Sequence, residues 1–277
     1  MGTRRATLRD MAEKTFLRIQ FGRRLARARE AAGKTAMDAI RAGIVRSKAQ
    51  MSRLEHGYRV HLTLSNISDL CKLYGLKGND KHVIEQMYLR AEADEEWWEP
   101  FSEVMFRDIS MLFSLQSYAD RIYVFDNLVH GLFQTEEHAR MLHAGAEPES
   151  VDKRVELRMQ RQREFWSRNP LPEVQLMMRE TALLGTCDQQ QIDLLVERDR
   201  LPNVSIRYLP ASDGPWPHLF GPFTVLGFEA DDPDVVYSES ISGARYEDRP
   251  VSVETHLARF VSHFEEQART IKEFRRG

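Results

Sequence analysis

The apolar positions at the start of the chain recur with a helical period. Phe21, Leu25, Ala28 and Ala32 share one face of residues 11–32, while Arg23, Arg24, Arg27 and Arg29 fall largely off it, which predicts an amphipathic helix. Gly33 stands where such a helix ends. Thr35 is placed to cap a short second helix reaching Ala42, with Gly43 closing it, and a third helix is predicted from Ser47 to Glu55. Leu64, Ile67, Cys71 and Tyr74 align on the core face of a fourth, stopped by Gly75, and a fifth covers residues 81–92. Together these make a compact all-α unit.

Past residue 110 the pattern alters. Residues 121–125, 174–178, 204–209, 223–228 and 235–237 read as strands between Pro, Gly and Asp turns. Helices are predicted over 135–143, 151–168 and 188–198, and a last one from Ser252 buries Val253, Leu257, Phe260, Val261 and Phe264. The expected fold class is mainly α with an α+β second domain. Residues 1–92 form the helical domain, 93–110 a junction and 111–277 the α+β domain. Adjacent Trp97 and Trp98 are costly to leave in water, so the junction is expected to be packed.

Charge sharpens this division. Residues 1–60 hold 15 Lys/Arg against 5 Asp/Glu, a net of +10, so the remainder of a chain at −3 carries −13. A basic module suits phosphates; an acidic one does not. Cys71 and Cys187 are the two cysteines. They supply neither a disulfide framework nor a Cys-rich zinc site, and fit a reducing compartment. Without an apolar run of about 18 residues or a secretory signal, the expectation is a soluble, cytoplasmic, nucleoid-associated protein with no membrane partner.

The informative stretch is residues 35–57, TAMDAIRAGIVRSKAQMSRLEHG. Two helices joined by a turn can place the second in the major groove, about 12 Å wide. That helix needs an apolar back, here Met51 and Leu54, and a polar front, here Lys48, Gln50, Ser52 and Arg53. Amides of Thr35, Ala36 and Met37 are expected to meet phosphate. Cys71 is assigned to the core as a small hydrophobe.

Ser-Arg-Leu-Glu-His-Gly (52–57) resembles the end of the recognition helix in the Xre, or lambda-repressor-like, helix-turn-helix family. Arg-Glu-Ala-Ala-Gly-Lys-Thr (29–35) and LCKLYGL (70–76) stand where that family has them. The turn from Gly43 to Ser47 is longer than the family's usual one, and the helix before it shorter. The resemblance implies that Lys48, Ala49, Gln50 and Arg53 face bases, with Arg53 the candidate for guanine O6 and N7. It makes Ser47, Ser52, Tyr58 and Arg59 phosphate contacts. It also implies a homodimer on double-stranded DNA.

A second resemblance covers residues 95–275. VHGLFQT (129–135) with His138-Ala139-Arg140 is similar to a motif in a C-terminal domain of unknown function found on actinobacterial Xre regulators, the WhiJ-like group. Arg158-x-x-Arg161-Gln162, Arg179-Glu180, Gly221-Pro222-Phe223 and Val236-Tyr237-x-Glu239 follow in that domain's order, with His130 in place of the usual Pro. This implies an antitoxin-like regulator that binds a small partner protein. His130, Gln134 and Arg161 are the candidate contacts there.

The alternative is a sensor of a small metabolite. Trp216, His218 and Phe220, in the proline-rich run 213–223, would line its pocket; a structural lid fits that run equally. An enzyme is not expected. His138 and His143 lack the i, i+4 spacing of a helical zinc pair, and His130, His138 and His143 read as solvated surface. No phosphate loop or nucleophile elbow occurs, and no cofactor or metal is expected. A Cys187–His pair is too common in chains of this size to indicate catalysis.

Overall fold

The computed structural model describes residues 16–93, 97–105, 109–145, 147–214, 221–229, 232–240 and 243–275. The chain divides into two compact units, residues 1–99 and 100–277. Residues 11–15 of the first predicted helix, and Trp216, His218 and Phe220, lie outside the described residues.

The first unit holds α1 (Phe16–Ala31), α2 (Ala36–Arg41), α3 (Lys48–Glu55), α4 (Leu64–Leu73) and α5 (Gly78–Ala93). Phe21, Leu25, Met51, Leu54, Ile67 and Cys71 meet in its core. Leu64 does not join them: it is 38% exposed, while Leu70 is fully buried. Leu64 opens its helix, before the packed face formed by Ile67, Leu70, Cys71 and Tyr74 begins. Trp98 is buried and meets the Trp97 ring edge-on, centroids 5.3 Å apart.

The second unit is a mixed seven-stranded sheet with helices. Its elements are α6 (Ile109–Tyr118), β1 (Arg121–Asp126), α7 (Glu136–Leu142), α8 (Pro148–Trp166), β2 (Glu173–Arg179), α9 (Glu180–Thr186) and α10 (Gln189–Arg198). There follow β3 (Val204–Leu209), β4 (Phe223–Gly227), β5 (Val235–Ser240), β6 (Gly243–Glu247), α11 (Pro250–Glu266) and β7 (Arg269–Thr270). The strand order is β6-β5-β4-β1-β2-β3-β7. β1, β2 and β3 run parallel, with Val124 opposite Leu176 and Leu176 opposite Ile206. The helices between them make the crossovers that parallel pairing demands. β4 lies antiparallel to β1, with Phe223 against Phe125, and β5 antiparallel to β4, with Tyr237 against Thr224.

The fold class is therefore the expected one, with additions. Helices α6 and α9 and strands β6 and β7 are new. α6 buries Ile109, Leu112, Phe113, Ser114, Leu115 and Gln116, so it shows little of the one-sided polarity that marks a surface helix. On α11, Phe260 and Phe264 face the sheet, but Val261 is 43% exposed. It sits about 100° around the helix from Phe260. Among the described residues no helix is long and apolar enough to cross a membrane.

Candidate functional sites

Ser47 begins α3 in extended backbone, and its hydroxyl accepts from the Gln50 amide at 3.1 Å. Gln50 answers from the other side: its Oε1 accepts from the Arg46 amide at 2.7 Å. This reciprocal cap fixes where the helix starts and holds the Gln50 carboxamide at its outer edge. Behind, Met51 is fully buried and Leu54 is 4% exposed. Each such side chain contributes about 1.5–3 kcal/mol by leaving water. In front, Ser47, Lys48, Ala49 and Ser52 are exposed, and Gln50 and Arg53 half-buried. The predicted front and back of this helix are thus separated as expected.

The far end of α3 is clamped. Arg29 of α1 donates from Nε to Glu55 Oε1 at 2.5 Å and from Nη2 to Oε2 at 3.2 Å, while its Nη1 reaches the Lys34 carbonyl at 3.0 Å. Such a two-pronged pair fixes orientation as well as distance. The Glu55 hydrogen bond accordingly raises the Arg29 pKa. Two glycines complete the joint. A Cβ on Gly22 would lie 2.5 Å from the Leu54 carbonyl oxygen, so α1 and α3 approach to backbone contact. Gly57 has φ +76, and a Cβ there would come within 2.7 Å of Ile19 Cα. Neither Gly22 nor the Arg29–Glu55 pair stood out in the sequence. A glycine inside an otherwise regular helix, where it costs about 1 kcal/mol against alanine, was the available signal.

Arg53 lies with its guanidinium carbon 4.8 Å from the Tyr58 ring centroid. Stacking on an aromatic face restricts a long side chain while leaving its edge to other partners. Arg59 is exposed next to it. Thr35 is placed differently from expectation. Its amide and its hydroxyl both donate to Asp38 Oδ2, each at 2.8 Å. The Asp38 carboxylate thus already engages both Thr35 donors, and these two hydrogen bonds hold the Asp38 pKa below its ordinary value.

A second site lies within the other unit. Residues 129–135 are held by buried amides. Gln162 Nε2 donates to the carbonyls of Gly131 (2.9 Å) and Gln134 (2.8 Å), and Gln191 Nε2 to that of Phe133 (2.7 Å). Trp166 Nε1 donates to Leu132 at 2.9 Å. Buried backbone groups away from a sheet ladder need such partners. The loop borders a cavity of about 540 Å³ that His130, Gln134 and Arg161 line together with Asp126, Arg158 and Glu239. The three residues singled out in the sequence thus come together.

His130 and His138 are buried, not solvated as expected. Burial pushes the His130 pKa well down, as a neutral imidazole in a dry site requires. Among the described residues no three His, Cys, Asp or Glu side chains gather as metal ligands. Arg161 is buried, with Nε and Nη2 both donating to neutral Gln116 Oε1 at 2.9 and 2.6 Å. Burial, then repulsion from Arg158, pulls its pKa down to about 9. Asp126 is pushed up to about 6, mainly by burial.

The capped, clamped α3 with its polar front defines a helix-turn-helix, and the comparisons agree: residues 20–82 match the family described as a helix-turn-helix domain. Residues 109–274, more than half of the chain, match the domain of unknown function DUF5753, and the chain belongs to that family. No curated protein and no solved structure matches it.

Proposed function

We propose that the chain is a sequence-specific transcriptional regulator of the Xre group that lays α3 along a major groove. The observation that carries this reading is the division of α3 into a polar front, with Lys48 and Ser52 exposed and Gln50 and Arg53 half-buried, and a buried Met51–Leu54 back. Arg53 reads guanine; Ser47, Ser52, Tyr58 and Arg59 hold phosphates. The protein acts in the cytoplasm as a homodimer, which places two copies of α3 in successive grooves about 34 Å apart. Salt titration of operator binding tests the phosphate half of this. Arg59→Ala weakens binding to every sequence and flattens the log–log salt slope by about 0.9. An unchanged slope removes Arg59 from the interface.

The second unit serves regulation rather than catalysis. In the antitoxin-like, WhiJ-like reading, a small protein encoded beside the regulator binds this unit and alters operator affinity. Adding that purified protein to the regulator–operator complex tests it, and an unaltered affinity counts against it. The cavity beside His130 favours a second reading, in which this unit senses a small molecule.

A further inference from the structure

The cavity of the second unit has two walls of opposite charge. Arg158 and Arg161 come from α8, three residues apart and so on one face of the helix. Asp126 ends β1, and Glu239 stands near the end of β5. All four line the same space of about 540 Å³. The site sits where a ligand is expected in an open sheet. At β1 the chain order changes direction, with β2 on one side and β4 on the other, and β1 and β5 both bring their carboxyl ends there.

The walls do not close on each other. Among the described residues, Arg158 makes one hydrogen bond, from Nη1 to neutral Gln134 Oε1 at 2.6 Å, and Arg161 bonds only to neutral Gln116. Neither guanidinium reaches a carboxylate. Asp126 Oδ1 accepts from the amides of Asn127 and Leu128, at 2.7 and 3.2 Å, which fixes its carboxyl plane; its Oδ2 accepts from none of the described residues. Glu239 Oε1 accepts from the Tyr237 hydroxyl, and Oε2 is likewise unengaged. Gly131 leaves room for this arrangement, since a Cβ there would come within 2.7 Å of Arg158 Nη1. Arg161 is buried, Arg158 and Asp126 are half-buried and Glu239 is exposed; two neighbouring guanidiniums without a carboxylate partner are poorly compensated as a purely structural wall. A simple anion would satisfy one wall and be repelled by the other, and a simple cation the reverse.

We propose that this cavity binds a small zwitterion of the amino-acid or short-peptide class. Its carboxylate meets Arg158 and Arg161, its ammonium meets Glu239 and Asp126, and its side chain lies against Leu112, Phe125 and Phe223. This rests on the small-molecule reading of the second unit.

Calorimetric titration of the full chain, without DNA, tests the site. The probes are the twenty common L-amino acids and their glycyl dipeptides, each beside its N-acetylated and C-amidated form. At least one free zwitterion should bind, and blocking either end should weaken it at least tenfold. In Arg158→Gln, amidation should cost several-fold less than in wild type while acetylation keeps its penalty; in Glu239→Gln, acetylation should cost several-fold less while amidation keeps its penalty. That selective loss separates recognition from misfolding, which would abolish all binding together, and the thermal melt of each variant checks the same point. If no zwitterion binds, or if blocked forms bind as well as their parents, the proposal is wrong. A zwitterion that binds and leaves operator affinity unchanged would instead overturn the sensing reading and leave the site intact.

Discussion

The two units use arginine in opposite ways. In the helical unit, Arg29 is spent internally on Glu55 and the Lys34 carbonyl, while Arg53 and Arg59 stand at the surface beside an apolar back that is fully closed. In the sheet unit, Arg158 and Arg161 point inward, held by neutral glutamines and facing acids across a void. An exposed guanidinium next to DNA gains its energy from phosphates and base edges and stays sensitive to salt. A buried one needs a counter-charge that is sheltered from salt. The first arrangement suits a polymer that approaches from outside. The second suits a molecule small enough to be enclosed.

The largest effect is expected at the clamp. Gly57→Val imposes positive φ on a branched residue and drives its side chain into Ile19, at a cost of about 3 kcal/mol or more to the helical unit. Urea unfolding followed by helical signal should show it, together with loss of operator binding. A variant that unfolds at the wild-type midpoint would mean that α1 and α3 do not meet as described.

Arg29→Ala removes both prongs from Glu55 and leaves a half-buried carboxylate alone, which should cost about 1–3 kcal/mol. Arg29→Lys should recover less than half, because an ammonium keeps the charge but not the fork. Equal stability of the Lys variant and wild type would show that geometry at this joint is unimportant.

A smaller effect marks the other unit. Asp126 titrates near 6 in the folded chain, above its ordinary value of 3.8, so the native state holds the proton more tightly than the unfolded one. The corresponding stability is full below the ordinary value and is lost as pH rises through about 6. Asp126→Asn keeps the acceptor for the Asn127 and Leu128 amides without taking the charge. It should be more stable than wild type at pH 7.5, with the gap in urea midpoints narrowing as pH falls through about 6 and closing only below the ordinary value of 3.8. Parallel pH profiles would show that Asp126 does not titrate above its ordinary value in the folded chain.

Much of this contrast was legible in the residues. The starts of α2 and α3 followed from Thr35 and Ser47, and the ends of α1, α2 and α4 from Gly33, Gly43 and Gly75, since caps and terminators act locally. The inward face of α8 was not legible in its spacing; Arg158 and Arg161 entered only through the resemblance of their motif. What escaped depends on partners distant in the chain. Gly22 matters because α3 presses on it, and Asp126 because Arg158 of α8 and Glu239 of β5 line the same cavity. Leu64 and Val261 look like core residues in a helical pattern, yet each is more than a third exposed. α6 is buried on too many sides for its period to show.

The proposed regulator stands or falls with α3 as its reader of sequence. Selecting DNA from a random pool with purified wild-type protein, in parallel with Arg53→Ala, tests this directly. The wild type should recover a defined motif repeated in inverted orientation, with a guanine whose preference collapses in Arg53→Ala by about 1–3 kcal/mol of discrimination. A wild-type pool without sequence preference, or an Arg53→Ala pool with the same motif at the same strength, would contradict it.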